Sequence, residues 1–171
     1  AKLANINVHY MRALSDEDLL ATLLAALPYL PNGDAFAARL TPERRRQLLL
    51  AMPLLKDRAK TLVDLVDRAD FIMAGRPLPI DAAARALLSA EARTLLRDLL
   101  PTLTGVGNWS AADTEAAVKL FAASRELKLG AIAQPLRAAL TGKAASPGIF
   151  DVLAVLGKSE SLGRIQDCVE A

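Results

Sequence analysis

Apolar residues recur at helical spacing along almost the whole chain, and the polar residues between them carry the marks of helix ends. Ser15 has the character of an N-cap, with Asp18 at the reciprocal position and an apolar run from Leu19 to Leu27 behind it. Pro28, Pro31 and the Asn32–Gly33 pair predict a turn. Thr41–Pro42–Glu43 opens a second helix with a hydroxyl cap, a proline in the first helical position and an acid in the first turn. Pro53 is expected to break or kink that helix after Met52. A third helix is then expected from about Leu54 to Met73, with Leu55, Leu62, Val63, Leu65 and Val66 facing the core.

Gly75–Arg76–Pro77–Leu78–Pro79 is the strongest punctuation in the chain and predicts a boundary between two helical subdomains, residues 1–75 and 80–171. Beyond it, Asp81 and Ser89 cap two helices, the second expected to end near Leu100 before Pro101. Gly105, Gly107 and Asn108 form a loop, and Ser110 with Asp113 starts the helix that carries Lys119, Phe121 and Arg125. After a bend at Leu127–Gly130, Pro135 is expected to begin a helix that carries Arg137 and stops at Gly142. Ser146–Pro147 is expected to open a helix closing at Gly157, and a last helix runs from about Ser159 to Val169. No run alternates apolar and polar residues for long enough to make a strand, so the expected fold is all-α.

Composition narrows the function classes. A chain of 171 residues with 53% apolar and 23% charged residues is globular, not disordered. The single cysteine, Cys168, excludes an internal disulfide framework and a cysteine-based zinc cluster. No stretch approaches the 18 or so apolar residues of a membrane span. Ala1 to Tyr10 lack a basic start followed by an apolar core, so no signal peptide is expected and a cytoplasmic location is.

The formal charge of +2 is too small to point to a polyanion, but its distribution is uneven. Arg44, Arg45, Arg46, Lys56, Arg58 and Lys60 face only Asp57 within their stretch, and Lys119, Arg125, Lys128, Arg137 and Lys143 face only Glu126. Two basic patches on a near-neutral body can attract a polyanion locally, although solvated helix faces have the same composition.

Catalytic constellations are missing. His9 is the only histidine, which leaves no histidine-rich metal site and a Ser–His–Asp triad only through the chain's first turn. Gly157–Lys158–Ser159 is similar to the end of a phosphate loop, but Val152 stands where that loop needs glycine and no strand precedes it. Asp16, Glu17 and Asp18 sit where acids complement a helix dipole. The residues by themselves describe a binding module.

One ordered set of residues goes further. Lys128–Leu129–Gly130 is followed by Gln134–Pro135–Leu136–Arg137–Ala138–Ala139–Leu140–Thr141–Gly142, then by Ser146–Pro147–Gly148 and Leu156–Gly157–Lys158. This set closely resembles the C-terminal anticodon-binding region of bacterial glutamyl-tRNA synthetases, class I enzymes, and Trp109 stands where that family places a tryptophan. In the N-terminal half, Lys2–Leu3, Asn7, Tyr10 and Arg12 are similar to the segment after the family's catalytic part, while Ala4, Asn5 and Val8 depart from it. Arg58–Ala59–Lys60–Thr61–Leu62 resembles the family's basic helix. The His-Ile-Gly-His-like run and Lys-Met-Ser-Lys-Ser-like loop of the family's adenylation site are absent from this chain.

The resemblance implies two small helical subdomains of the α-helical cage type packed together, in a monomeric ligase. This piece would be non-catalytic, with no cofactor of its own; the catalytic region of the same polypeptide would use ATP and Mg²⁺. Its partner would be the anticodon loop of tRNA-Glu. By the same resemblance Arg58 reads the third anticodon base and Arg137 lies near the first two. The turn Ser146, Pro147, Gly148 and Ile149 offers backbone donors to a base edge, and Phe121, Phe150 and Leu153 are core. Lys119 replaces a frequent arginine; it keeps the charge without the planar fork, which suits a phosphate. Trp109 is expected to pack between the subdomains. With only four Phe, one Trp and two Tyr, arginine forks and backbone groups must do what aromatic stacking does elsewhere. The competing readings are an all-α protein-interaction scaffold and a helix-turn-helix DNA binder.

Overall fold

Short-range capping chemistry sets where five of the helices begin. In the computed structural model, which describes residues 9–171, the hydroxyls of Ser15, Thr41, Ser89 and Ser110 and the carboxylate of Asp81 each accept a backbone N–H three residues ahead. These side chains satisfy donors that a helix start leaves without an internal partner. The helices are α1 (Asp16–Ala26), α2 (Gly33–Ala38), α3 (Pro42–Lys56), α4 (Leu62–Met73), α5 (Ala82–Ala86), α6 (Ala90–Thr104), α7 (Ala111–Ser124), α8 (Leu129–Thr141), α9 (Ile149–Leu156) and α10 (Lys158–Glu170). Residues 9–13 are also helical, Leu27–Tyr29 forms a 3₁₀ turn, and no strand occurs among the described residues. Lys2, Leu3, Ala4, Asn5, Asn7 and Val8 lie outside the described residues.

The chain divides into two compact units, one ending at Met73 and the other comprising Ala74–Ala171. In the first, α1, α3 and α4 pack around Leu19, Leu23, Leu48, Met52, Leu55 and Leu65, all fully buried. Leu62 and Val63 are only half-buried because they line an apolar pocket of about 370 Å³ with Tyr10, Met11 and Leu14. In the second, α6, α7, α8 and α10 close around Leu96, Leu99, Leu103, Val118, Ile132 and Leu136. The Gly75–Pro79 stretch belongs to this second unit. Arg76 grips Asp167 through two hydrogen bonds of 2.8 and 2.7 Å, and the Asp81 N–H donates to the Gly142 carbonyl at 3.0 Å. Gly142 ends α8 in the left-handed region (φ 71°), where a Cβ would lie 2.2 Å from the Pro79 carbonyl oxygen; glycine is required there on both counts.

Three prolines expected at helix boundaries lie inside helices instead. Pro53 sits within α3, which runs on to Lys56; Pro101 sits within α6, which runs on to Thr104; and α8 starts at Leu129, ahead of Pro135. An internal proline costs one hydrogen bond and crowds the carbonyl four residues back, about 3 kcal/mol. The apolar residues flanking each proline offset that cost. Met52 and Leu55, Leu99 and Leu103, and Ile132 and Leu136 are each fully buried, and burial of one such side chain stabilises by about 1.5–3 kcal/mol. The expected third helix from Leu54 is therefore replaced by α3 and α4, joined by a turn at residues 57–61. The Asn32–Gly33 turn is present, but Gly33 also begins the short α2, which the punctuation concealed.

Candidate nucleic-acid interface

The first unit presents Arg58 in the 57–61 turn and not on a helix, correcting the expected basic helix. Its guanidinium is exposed and makes no ion pair or hydrogen bond among the described residues. The nearby carboxylate in sequence, Asp64, is engaged by other groups: Arg68 Nε and the Lys60 N–H donate to it at 2.8 and 2.9 Å. Its surroundings are less basic than the raw count of cations suggests. Lys56 Nζ lies 2.6 Å from Asp16 Oδ1 in a largely buried pair, Arg46 pairs with Glu43, and Arg44 donates to the Arg39 carbonyl at 2.7 Å. Arg44, Arg45, Arg58 and Lys60 are left without a carboxylate among the described residues, Arg44 being held by a neutral carbonyl.

The second unit brings Arg137 and Ser146 together. Arg137 Nε donates to Ser146 Oγ at 3.0 Å, Nη1 donates to Gln134 Oε1 at 3.1 Å, and the Ser146 hydroxyl donates to the Pro147 carbonyl at 2.8 Å. Ser146 is therefore not the helix cap that Ser-Pro suggested. Gly148 takes the N-cap position of α9 with no side-chain cap, which frees the serine to hold the arginine. Two of the five N–H groups of the guanidinium are used, both on neutral acceptors, so its charge and a free edge remain available. Gln134, exposed and one turn before Arg137 on α8, is a member of this group that sequence reasoning passed over; the i, i+3 spacing was the available signal.

The turn after Ser146 contributes backbone only. Pro147 and Ile149 are buried, whereas the first N–H groups of α9 receive no side-chain cap. Lys119 stands apart from this group on the exposed side of α7 and pairs with Glu115 at 2.7 Å. Arg125 pairs with Asp98 at 2.9 Å and stacks over Phe121. Lys128, Arg137 and Lys143 are the cations of this stretch with no carboxylate among the described residues.

Trp109 donates its Nε1–H to the Leu153 carbonyl at 2.8 Å, a partner within its own unit. Lys158 donates to the Val106 carbonyl at 2.7 Å and lies over the Trp109 ring, tying down the 105–109 loop. Phe121 and Leu153 are core, but Phe150 is half-buried. Gly157 (φ 78°) ends α9 and starts α10, with no phosphate loop. Cys168 is buried, and burial pushes its thiol up, away from the reactive thiolate.

An exposed arginine on a turn, a half-buried arginine held by neutral side chains, and uncapped backbone donors are the groups of a nucleic-acid-binding module, the class of protein this fold and site fit. The comparisons specify it: residues 18–169 match the anticodon binding domain family, and the chain belongs to that family. A glutamate–tRNA ligase of Bradyrhizobium sp. (strain ORS 278) is 56% identical over 98% of this chain and 35% of its own length. A glutamate–tRNA ligase 1 of Xanthobacter autotrophicus is 60% identical over 97% and 35%. Among solved structures, a glutamate tRNA ligase from Elizabethkingia meningosepticum shares the fold, with a TM-score of 0.76 at 22% identity, over 98% of this chain and 32% of that one. The chain spans about a third of the length of the curated relatives it matches. No described helix is long and apolar enough to cross a membrane.

Proposed function

We propose that this chain is the anticodon-recognition part of a glutamate–tRNA ligase and that its partner is the anticodon loop of tRNA-Glu. The observation that carries the reading is the Arg137–Ser146–Gln134 group, a guanidinium oriented by neutral acceptors with donors to spare. An arginine neutralised by a carboxylate has little left for a base, whereas this one can form a bidentate contact worth about 1–3 kcal/mol of discrimination. Arg137 would address the first two anticodon bases and Arg58 the third. The uncapped N–H groups of Gly148 and Ile149 would meet a base edge beside Ser146 and Pro147, and Lys119 would contact a phosphate. Unpaired loop bases expose the edges that such donors need.

The remaining two thirds of the ligase would hold ATP and Mg²⁺ and activate glutamate. This part would act on charging by aligning the acceptor end productively. The ligase would work as a cytoplasmic monomer, with this part joined to the catalytic region of the same polypeptide.

The test is binding of a tRNA-Glu anticodon stem-loop in the presence of excess duplex DNA, since salt dependence alone does not separate RNA from DNA. Arg137→Ala is expected to weaken stem-loop binding more than Lys128→Ala, which removes an exposed cation, without a carboxylate among the described residues, from the N-cap of the same helix. Equal losses would refute base reading by Arg137. Loss of binding to duplex competitor would favour a DNA binder, and no binding to either nucleic acid a protein scaffold.

A further inference from the structure

Arg12 takes no part in the reading above, yet it touches the one peptide unit that aims Arg58. Its Nη2 donates to the carbonyl oxygen of Asp57 at 2.7 Å, across 45 residues of sequence. That carbonyl and the N–H of Arg58 belong to the same planar peptide. The N–H edge is held as well, because it donates to the Leu55 carbonyl at 3.2 Å. The plane leading into the Arg58 Cα is thus gripped from both sides.

The turn beyond is held too. Ala59 is buried and donates to the Leu55 carbonyl at 2.9 Å, while the Lys60 N–H is taken by Asp64, itself fixed by Arg68 and by Thr61. Lys56, which reaches both Asp16 and the Leu14 carbonyl, ties the same corner from the opposite direction. A guanidinium at this place is favoured because Asp57 caps the C-terminus of α3, where carbonyls have no helical partner and the dipole is negative.

We infer that Arg12 is a positioning residue for Arg58: by holding the Asp57 carbonyl it fixes the peptide plane from which Arg58 projects. The inference rests on the reading of Arg58 as the third-base contact. Without Arg12 that plane can rotate, and Arg58 points productively for only part of the time. If that part is about a tenth to a third, the cognate stem-loop binds roughly 3–10-fold more weakly. A stem-loop with a substituted third base, which does not engage Arg58, is unaffected, so the ratio between the two falls by the same factor.

The experiment compares the whole 171-residue chain with its Arg12→Ala, Arg12→Lys and Arg58→Ala variants, using NMR titration to read weak binding of stem-loops substituted at each anticodon position. In Arg12→Ala, the third-position ratio is expected to fall by roughly 3–10-fold. Preferences at the first two positions and the unfolding midpoint stay in place, and amide exchange at Arg58 quickens. Arg12→Lys, which can still donate to one carbonyl, is expected to restore most of the ratio. A ratio narrowed by Arg58→Ala but untouched by Arg12→Ala would overturn the inference and leave the reading of Arg58 standing. A ratio untouched by Arg58→Ala would overturn that reading first, and the inference with it.

Discussion

Arg164 lies at the centre of the second unit, and its removal offers the sharpest test of how that unit is held. Its side chain is 1% exposed; Nε donates to Glu160 at 2.7 Å, Nη1 to the Leu140 carbonyl at 2.8 Å, and Nη2 to the Ala74 carbonyl at 3.1 Å. The replacement Arg164→Met keeps most of the volume and removes every donor. Glu160 is a third exposed and can turn to water, so the cost falls mainly on the two carbonyls. Leaving such groups unpaired costs about 1–3 kcal/mol each. Two such carbonyls make the expected loss about 2–6 kcal/mol. Against a total stability of about 5–15 kcal/mol this is a large fraction. The assay is urea unfolding followed by fluorescence of Trp109, the only tryptophan, which lies in the same unit. Arg164→Lys should fall between wild type and Arg164→Met, since one ammonium does not span three acceptors in this geometry. A loss below about 1 kcal/mol for Arg164→Met would refute the assignment of Arg164 as the unit's polar anchor.

Three other outcomes follow from single residues. The Ser161 hydroxyl is fully buried with no hydrogen-bond partner among the described residues, so Ser161→Ala is expected to be neutral or to stabilise by about 1 kcal/mol; clear destabilisation in the same urea assay would show that the hydroxyl has a partner. Glu126 is exposed and sits at φ 55°, so relief of left-handed strain in Glu126→Gly should outweigh the added chain entropy by about 0.5–1 kcal/mol; a lower melting temperature would count against it. Asp167 is held below its ordinary carboxyl value of 3.8 by its hydrogen bonds from Arg76. Because the folded value is the lower one, the pair's stabilisation is present above the ordinary value and lost as pH falls through the folded one. Stability followed between about pH 5 and pH 2 should therefore decline less steeply for Asp167→Asn, and parallel curves would refute the linkage.

Local chemistry decided much of this molecule before any tertiary contact. The caps at Ser15, Thr41, Asp81, Ser89 and Ser110 act over three residues, and the stop at Gly142 depends on its own φ; each was legible and each is present. The all-α class and the residues of the Gln134–Gly142 motif were legible on the same footing. Other features depended on partners far away in sequence. Pro53, Pro101 and Pro135 remain inside helices because the buried side chains around them outweigh a backbone cost that local rules treat as final. Lys56 drops out of the free surface charge only because folding brings it to Asp16, and Lys158 is held only because folding brings it to the Val106 carbonyl. Ser146 reads as a helix cap until Arg137, nine residues earlier, is seen to claim its hydroxyl. Which cations stay free to meet a nucleic acid is a property of all pairings at once, and only the folded chain has made those pairings.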